Sequence, residues 1–229
     1  MNLALHPDFR IQKLRIGLEQ APLIVIDNLA ANAEELVELA SGKLFGDVTS
    51  HYPGIRAKVP LTYQQFIIEQ LGGVLAEYFE MNTGTVRFTN CHFSLVTTPP
   101  ERLAFLQRIP HVDSLLNNEL AFIHYLFKSS LGGTAFYRHR ATGFEYVDQA
   151  RRPEYARHQD LEKDGPNSPP AEYINGDTPL YEQIARQEGL FNRMLVYRRT
   201  SLHSGSLSRD FVVDTNPRTG RLSINGFLA

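Results

Sequence analysis

With a single cysteine, Cys91, among its 229 residues, this chain has no internal disulfide to staple it, and one free thiol fits a reducing compartment. No stretch approaches the ~20 apolar residues that a bilayer-spanning helix needs. The opening Met1-Asn2-Leu3-Ala4-Leu5-His6-Pro7-Asp8 has neither the apolar run nor the small-residue cleavage site of a secretory signal. A cytoplasmic protein is expected. An excess of one charge is missing too: 23 basic residues face 25 acidic ones for a net −2, which gives no field to recruit nucleic acid or an anionic membrane. There are no internal repeats and no low-complexity tracts. What remains, 42% hydrophobic and 21% charged, is the composition of an ordinary globular protein. The length suits one domain with a full core, so residues 1–229 are expected to fold as one unit.

Residues 22–29, PLIVIDNL, form a branched apolar run closed by Asp27-Asn28, which predicts a buried strand. Helical spacing of Leu36, Leu39 and Ala40 predicts a helix over 31–44, with Gly42 near its end. The Pro53-Gly54 pair marks a turn within a loop at 51–56. A second helix is expected over 61–79, weakened at Gly72-Gly73, where each glycine costs ~1 kcal/mol relative to alanine. Then the pattern turns to strands, at 85–98, 119–128, 134–139, 191–199, 202–205, 211–214 and 221–227. Helices followed by a series of short strands imply an α+β chain whose body is a sandwich or barrel. One stretch interrupts it: 148–178 is dense in Arg, Glu, Asp and Pro, has little apolar period, and is expected to be a lid or insertion.

Alternate residues on a strand share a face, so His-x-Asp aims an imidazole and a carboxylate at one point. A further histidine from a distant strand would complete two histidines and one carboxylate, the ligand set of non-haem iron(II) oxygenases. By itself the string is weak, because it occurs three times among a chain with eight histidines. His6-Pro7-Asp8 has no strand pattern around it, and His158-Gln159-Asp160 sits in the charged stretch. His111-Val112-Asp113 lies between strand-like segments and is the better candidate. For the third ligand His203 is available, although a lone histidine there, taken by itself, reads more readily as a hydrogen-bonded core or edge residue. The late segment Arg221 to Phe227 alternates, placing Arg221, Ser223 and Asn225 on one face. Such a face could line a pocket, where the arginine would pair bidentately with a carboxylate, or belong to an ordinary edge strand. His92, His124 and His139 are rival metal donors, the first two at strand positions where packing is the commoner role.

The order of these features resembles the 2-oxoglutarate and iron(II)-dependent oxygenase superfamily, in its prolyl-hydroxylase-like branch. The residues that carry it are His111-Val112-Asp113, Ile123-His124-Tyr125-Leu126, Gly132-Gly133-Thr134-Ala135-Phe136, His203 and Arg221-Leu222-Ser223. The opening Val25-Ile26-Asp27-Asn28-Leu29 is similar to the usual entry of the family. The resemblance implies a double-stranded β-helix, or jelly roll, with N-terminal helices packed on it. It also implies Fe(II) on His111, Asp113 and His203, 2-oxoglutarate held at its distal carboxylate by Arg221 and Ser223, and O2 as co-substrate. The organic substrate would be a small molecule or a peptide, and the reaction hydroxylation of a C–H bond. Because Asp113 is present, the halogenating members are a poor match.

Two departures from the family stand out. Arg221 lies further beyond His203 than is usual, so an extra loop or hairpin must intervene; Arg209, in a serine-rich turn, is its rival. The interval from Asp113 to His203 is also long, which the 148–178 stretch accounts for. The alternative is a cupin-like β-helix domain, non-catalytic or differently metallated, that binds a small ligand.

Overall fold

Uninterrupted apolar runs, rather than alternating ones, mark strands covered on both faces. The computed structural model of this chain, which describes residues 3–47, 52–81, 86–208 and 210–229, has such strands at its centre. β1 is Arg10–Ile16, β2 Ala21–Asp27, β3 Gly46–Asp47, β4 Gly54–Lys58, β5 Phe88–Val96 and β6 Leu120–Tyr125. β7 is Gly133–His139, β8 Tyr181–Glu188, β9 Met194–Arg198, β10 His203–Ser206 and β11 Leu222–Leu228. Among the described residues they form an eight-stranded sheet in the order β1-β2-β9-β6-β11-β5-β4-β3 and a three-stranded sheet β10-β7-β8. The pairings are antiparallel, and the two facing sheets make the double-stranded β-helix, or jelly roll.

Side-chain alternation divides the core in two. Ile24 and Ile26 of β2, Met194 and Val196 of β9, and Leu120 and Phe122 of β6 face outward onto helices. Leu23, Val25, Leu195, Tyr197, Ala121, Ile123 and Tyr125 face inward, toward Phe136 of the small sheet. Each fully buried side chain of this size adds roughly 1.5–3 kcal/mol.

The helices that cover the outer face are α1 (Ala33–Ser41) and α2 (Leu61–Tyr78). In α1 Ala33, Leu36 and Ala40 are buried on one stripe, and Glu34 and Glu35 in the first turn complement the helix dipole. In α2 Tyr63, Phe66, Ile67, Leu71 and Leu75 recur at helical spacing. Gly72-Gly73 does not break it: a Cβ at Gly73 would meet nothing within 4 Å, so the pair lies on the open side. No helix among the described residues is long and apolar enough to cross a membrane.

Several expectations need correction. β1 and β8 were not anticipated; both are edge strands with half-exposed, charged sequences, RIQKLRI and YEQIARQE, that show no apolar run. The loop expected at 51–56 instead leads into β4 from Gly54 onward. Phe211 to Asp214 is not a strand, and Val212 there is 78% exposed. Arg209 lies outside the described residues. The charged stretch is not irregular throughout: α3, Arg152–Lys163, occupies its middle, anchored by buried Tyr155.

Candidate metal centre and carboxylate pocket

Gly132-Gly133 is what lets β7 enter between its neighbours. A Cβ on Gly132, which has φ +80°, would collide with the Ser206 carbonyl oxygen, and one on Gly133 with that of Gln187. β10 is thereby drawn against β7, with His203 opposite Phe136. On the other side of His203 lies His111, and the two exchange backbone hydrogen bonds, His111 N to His203 O at 2.9 Å and His203 N to His111 O at 3.0 Å. Two residues on, Asp113 N donates to Arg199 O at 2.8 Å. The Arg199 side chain closes the same turn, with Nη2 donating to Asp113 O at 2.7 Å and Nη1 to Glu119 Oε2 at 2.7 Å.

His111, Asp113 and His203 thus converge. One donor atom from each lies within 4.8 Å of the other two, the grouping of this kind found among the described residues. His203 Nε2 is 3.4 Å from Asp113 Oδ2, and His111 Nε2 is 3.8 Å from Asp113 Oδ1. The His203 ring is fixed by its other nitrogen: Nδ1 donates to Ser201 O at 2.9 Å, which turns Nε2 toward Asp113 as the nitrogen that can face a metal. Tyr197 and Phe136 flank that ring at centroid distances of 4.7 and 6.5 Å. Burial, with the Asp113 charge adding to it, holds the Tyr197 hydroxyl well above its usual pKa, so it stays protonated. Two imidazoles and a carboxylate on one side of a cavity, backed by an apolar shell, fit a divalent first-row metal with open positions.

The rival histidines lie elsewhere. His124 is fully buried between Tyr63 OH and Asn192 Oδ1, each 3.1 Å away, and burial lowers its pKa to about 4. His139 faces Glu162 of α3 at 2.9 Å. His92 is half-buried on β5. His158 sits on α3, and His6 Nδ1 accepts the Asp8 backbone N–H within a local turn.

The three donors open onto a pocket of about 580 Å³. Arg221, just before β11, lines it and is only 3% exposed. Its guanidinium donates to Leu131 O at 3.1 Å and Gly133 O at 2.8 Å and lies against the Tyr125 and Phe127 rings. All of these partners are neutral, so a buried cation faces the cavity with no acid paired to it among the described residues. Asn225 lines the pocket two alternations further on, while Ser223 between them is fully buried and gives its hydroxyl to Asn225 Oδ1 at 2.6 Å.

Sequence reasoning missed Tyr52 and Arg56, which line the same pocket. The Arg56 guanidinium lies 4.3 Å over the Tyr52 ring. Burial raises the Tyr52 hydroxyl's pKa, and the Arg221 and Arg56 charges oppose that. A signal existed in the alternation Ile55-Arg56-Ala57-Lys58, hidden by the Pro-Gly turn before it.

The sequence profile of a family of unknown function, DUF6445, matches residues 7–228. The chain belongs to that family. No curated protein matches it in sequence. Among solved structures it is similar to HygX from Streptomyces hygroscopicus, crystallised with nickel and 2-oxoglutarate. The TM-score is 0.51 at 10% identity, over 92% of this chain and 84% of that one. It is also similar to the non-heme alpha ketoglutarate dependent epimerase SnoN from nogalamycin biosynthesis. There the TM-score is 0.52 at 13% identity, over 92% of this chain and 78% of that one. At these identities the likeness is one of fold, and it confirms the jelly roll.

Proposed function

We propose that this member of the family is a non-haem iron(II) oxygenase that uses 2-oxoglutarate and O2 to hydroxylate a C–H bond of a small molecule. The observation that carries this reading is the convergence of His111, Asp113 and His203, with His203 Nδ1 committed to Ser201 O. The fold likeness to HygX, which binds nickel and 2-oxoglutarate, supports it. In this reading His111, Asp113 and His203 hold Fe(II), which supplies oxidation coupled to decarboxylation of the oxo-acid. Arg221 takes the distal carboxylate of 2-oxoglutarate through a charge-assisted pair, and Ser223 backs that position from the same strand face. Ser201 and Arg199 orient the ligands by the hydrogen bonds described above. Tyr197 and Phe136 limit water around the metal-facing side.

The segment 148–178 belongs to this proposal as the outer wall of the site within a single domain, 1–229. Arg152, Tyr155 and Gln159 of α3, with Tyr173, border the pocket. Tyr155 ties α3 to the core through Pro110 O at 3.4 Å and Tyr181 OH at 3.1 Å.

Anaerobic protein given Fe(II) and then 2-oxoglutarate should develop the weak visible metal-to-ligand band of the chelated oxo-acid. His111→Ala and His203→Ala should each abolish it. A normal band in both variants would sink the metal assignment. Metal binding without the band in the unsubstituted protein would favour a ligand-binding β-helix of the cupin kind.

A further inference from the structure

The pocket is unbalanced in charge. Of the described residues that line it, Asp113 is the one acid, against Arg56, Arg152 and Arg221. Arg152 is exposed on α3 and water screens it, whereas Arg56 is set into the sheet. Register fixes its direction: Arg56 pairs with Ser94, Ser94 with Ser223, and Ser223 with Tyr125, so these side chains share the inner face. The neighbouring Ala57 faces the helical core instead.

Arg56 Nε is buried with no hydrogen-bond partner among the described residues, and the guanidinium lies over the Tyr52 ring. Among the described residues Asp113 is the one acid whose charge bears on it, and that carboxylate forms no ion pair with the guanidinium and is set against His111 and His203. An orphaned buried donor on a full cation is costly unless a ligand satisfies it. The oxygenase reading does not supply that ligand. Taken together, the divalent ion and the Arg221 cation balance Asp113 and the dianionic oxo-acid, which leaves the charge of Arg56 over. One planar guanidinium with one excess charge matches a monoanionic, planar group, and therefore a carboxylate better than a phosphate dianion.

We propose that Arg56 is a specificity-determining residue that binds a carboxylate of the organic substrate, so that the pocket takes an anionic small molecule. The proposal rests on the oxygenase reading above. It assigns Arg221 and Arg56 to different carboxylates, one from the oxo-acid and one from the substrate.

The test uses anaerobic protein loaded with Fe(II) and 2-oxoglutarate, titrated calorimetrically with benzoate and N-acetylglycine, each against its primary amide. The unsubstituted protein should bind each carboxylate at least about tenfold more tightly than its amide, the scale of one charged hydrogen bond. Arg56→Gln should erase that preference while keeping the visible oxo-acid band, and Arg56→Lys should retain part of it. Equal binding of acid and amide by the unsubstituted protein overturns the proposal, as does an undiminished preference in Arg56→Gln. Loss of the band in a folded Arg56→Gln also overturns it, by giving the arginine to the oxo-acid, yet leaves the oxygenase reading standing. Absence of the band in the unsubstituted protein overturns that reading itself and takes this proposal with it.

Discussion

Arg221→Ala should weaken binding of 2-oxoglutarate far more than it weakens the fold. Arg221 is 3% exposed, its guanidinium donates to two carbonyl oxygens and lies against aromatic rings, and it faces the pocket. Truncating one partner of a desolvated charge pair costs roughly 2–5 kcal/mol, or about 30-fold to about 4,000-fold in affinity. The low end applies here, because the pocket is open to water and the two carbonyls already solvate part of the cation. Affinity for an inert oxo-acid analogue, measured by calorimetry on metal-loaded protein, should therefore fall about 30-fold or more. Losing the bonds to Leu131 O and Gly133 O should also cost the fold about 1–3 kcal/mol, so a thermal melt must show the variant folded at the assay temperature. Arg221→Lys separates the two effects, since it keeps the charge without the planar fork. Arg209 supplies the contrast: the sequence argument gives it at most an exposed pair, so Arg209→Ala should change affinity less than about fivefold. If Arg221→Ala binds the analogue like the unsubstituted protein while Arg209→Ala loses it, the assignment of the oxo-acid site is wrong.

His124 supplies a pH dependence. Its folded pKa is lowered by burial to about 4, below the ordinary histidine value of about 6.5, so the unfolded chain takes up the proton first. The stabilisation is complete above about pH 6.5 and lost as pH falls toward 4, amounting to about 3 kcal/mol. Urea melts at pH 7 and pH 5 should show a smaller loss in His124→Gln than in the unsubstituted protein; equal losses would refute the burial argument. The wall segment makes a separate prediction. Limited proteolysis should cut first within 148–178, outside α3, and Fe(II), oxo-acid and substrate together should slow that cut. First cleavage within 110–136 would contradict its role as the outer wall.

What the sequence made legible followed burial. β2, β6 and β9 are covered on both faces, and their apolar runs stood out; α1 and α2 carry one apolar stripe each. β1 and β8 are half-exposed edges whose charged residues blur the period, so neither was seen. α3 has Tyr155 as its one buried residue, too little for a stripe to register. At the site, the His-x-Asp string and His203 were visible as residues, but their union depends on a backbone pairing between positions far apart in the chain. The place of Arg221 on the inner, pocket-lining face was legible because its strand alternates strictly. The place of Arg56 in the pocket was not, because it depends on which face of a short strand points inward, and only the register with Ser94 decides that.

That backbone pairing of His111 with His203 has a consequence for how such a chain can diversify. It closes a long excursion at its foot: everything between the two histidines, including β6, β7, α3 and β8, departs from and returns to the same pair of peptide groups. Loop-closure entropy grows only as the logarithm of length, so lengthening that excursion costs about 0.6 kcal/mol per doubling. Residues added between Asp148 and Thr178 therefore reshape the outer wall of the pocket while the donor atoms keep their places. On the oxygenase reading proposed above, the metal donors would stay anchored at that pairing while the wall that meets the substrate is free to drift.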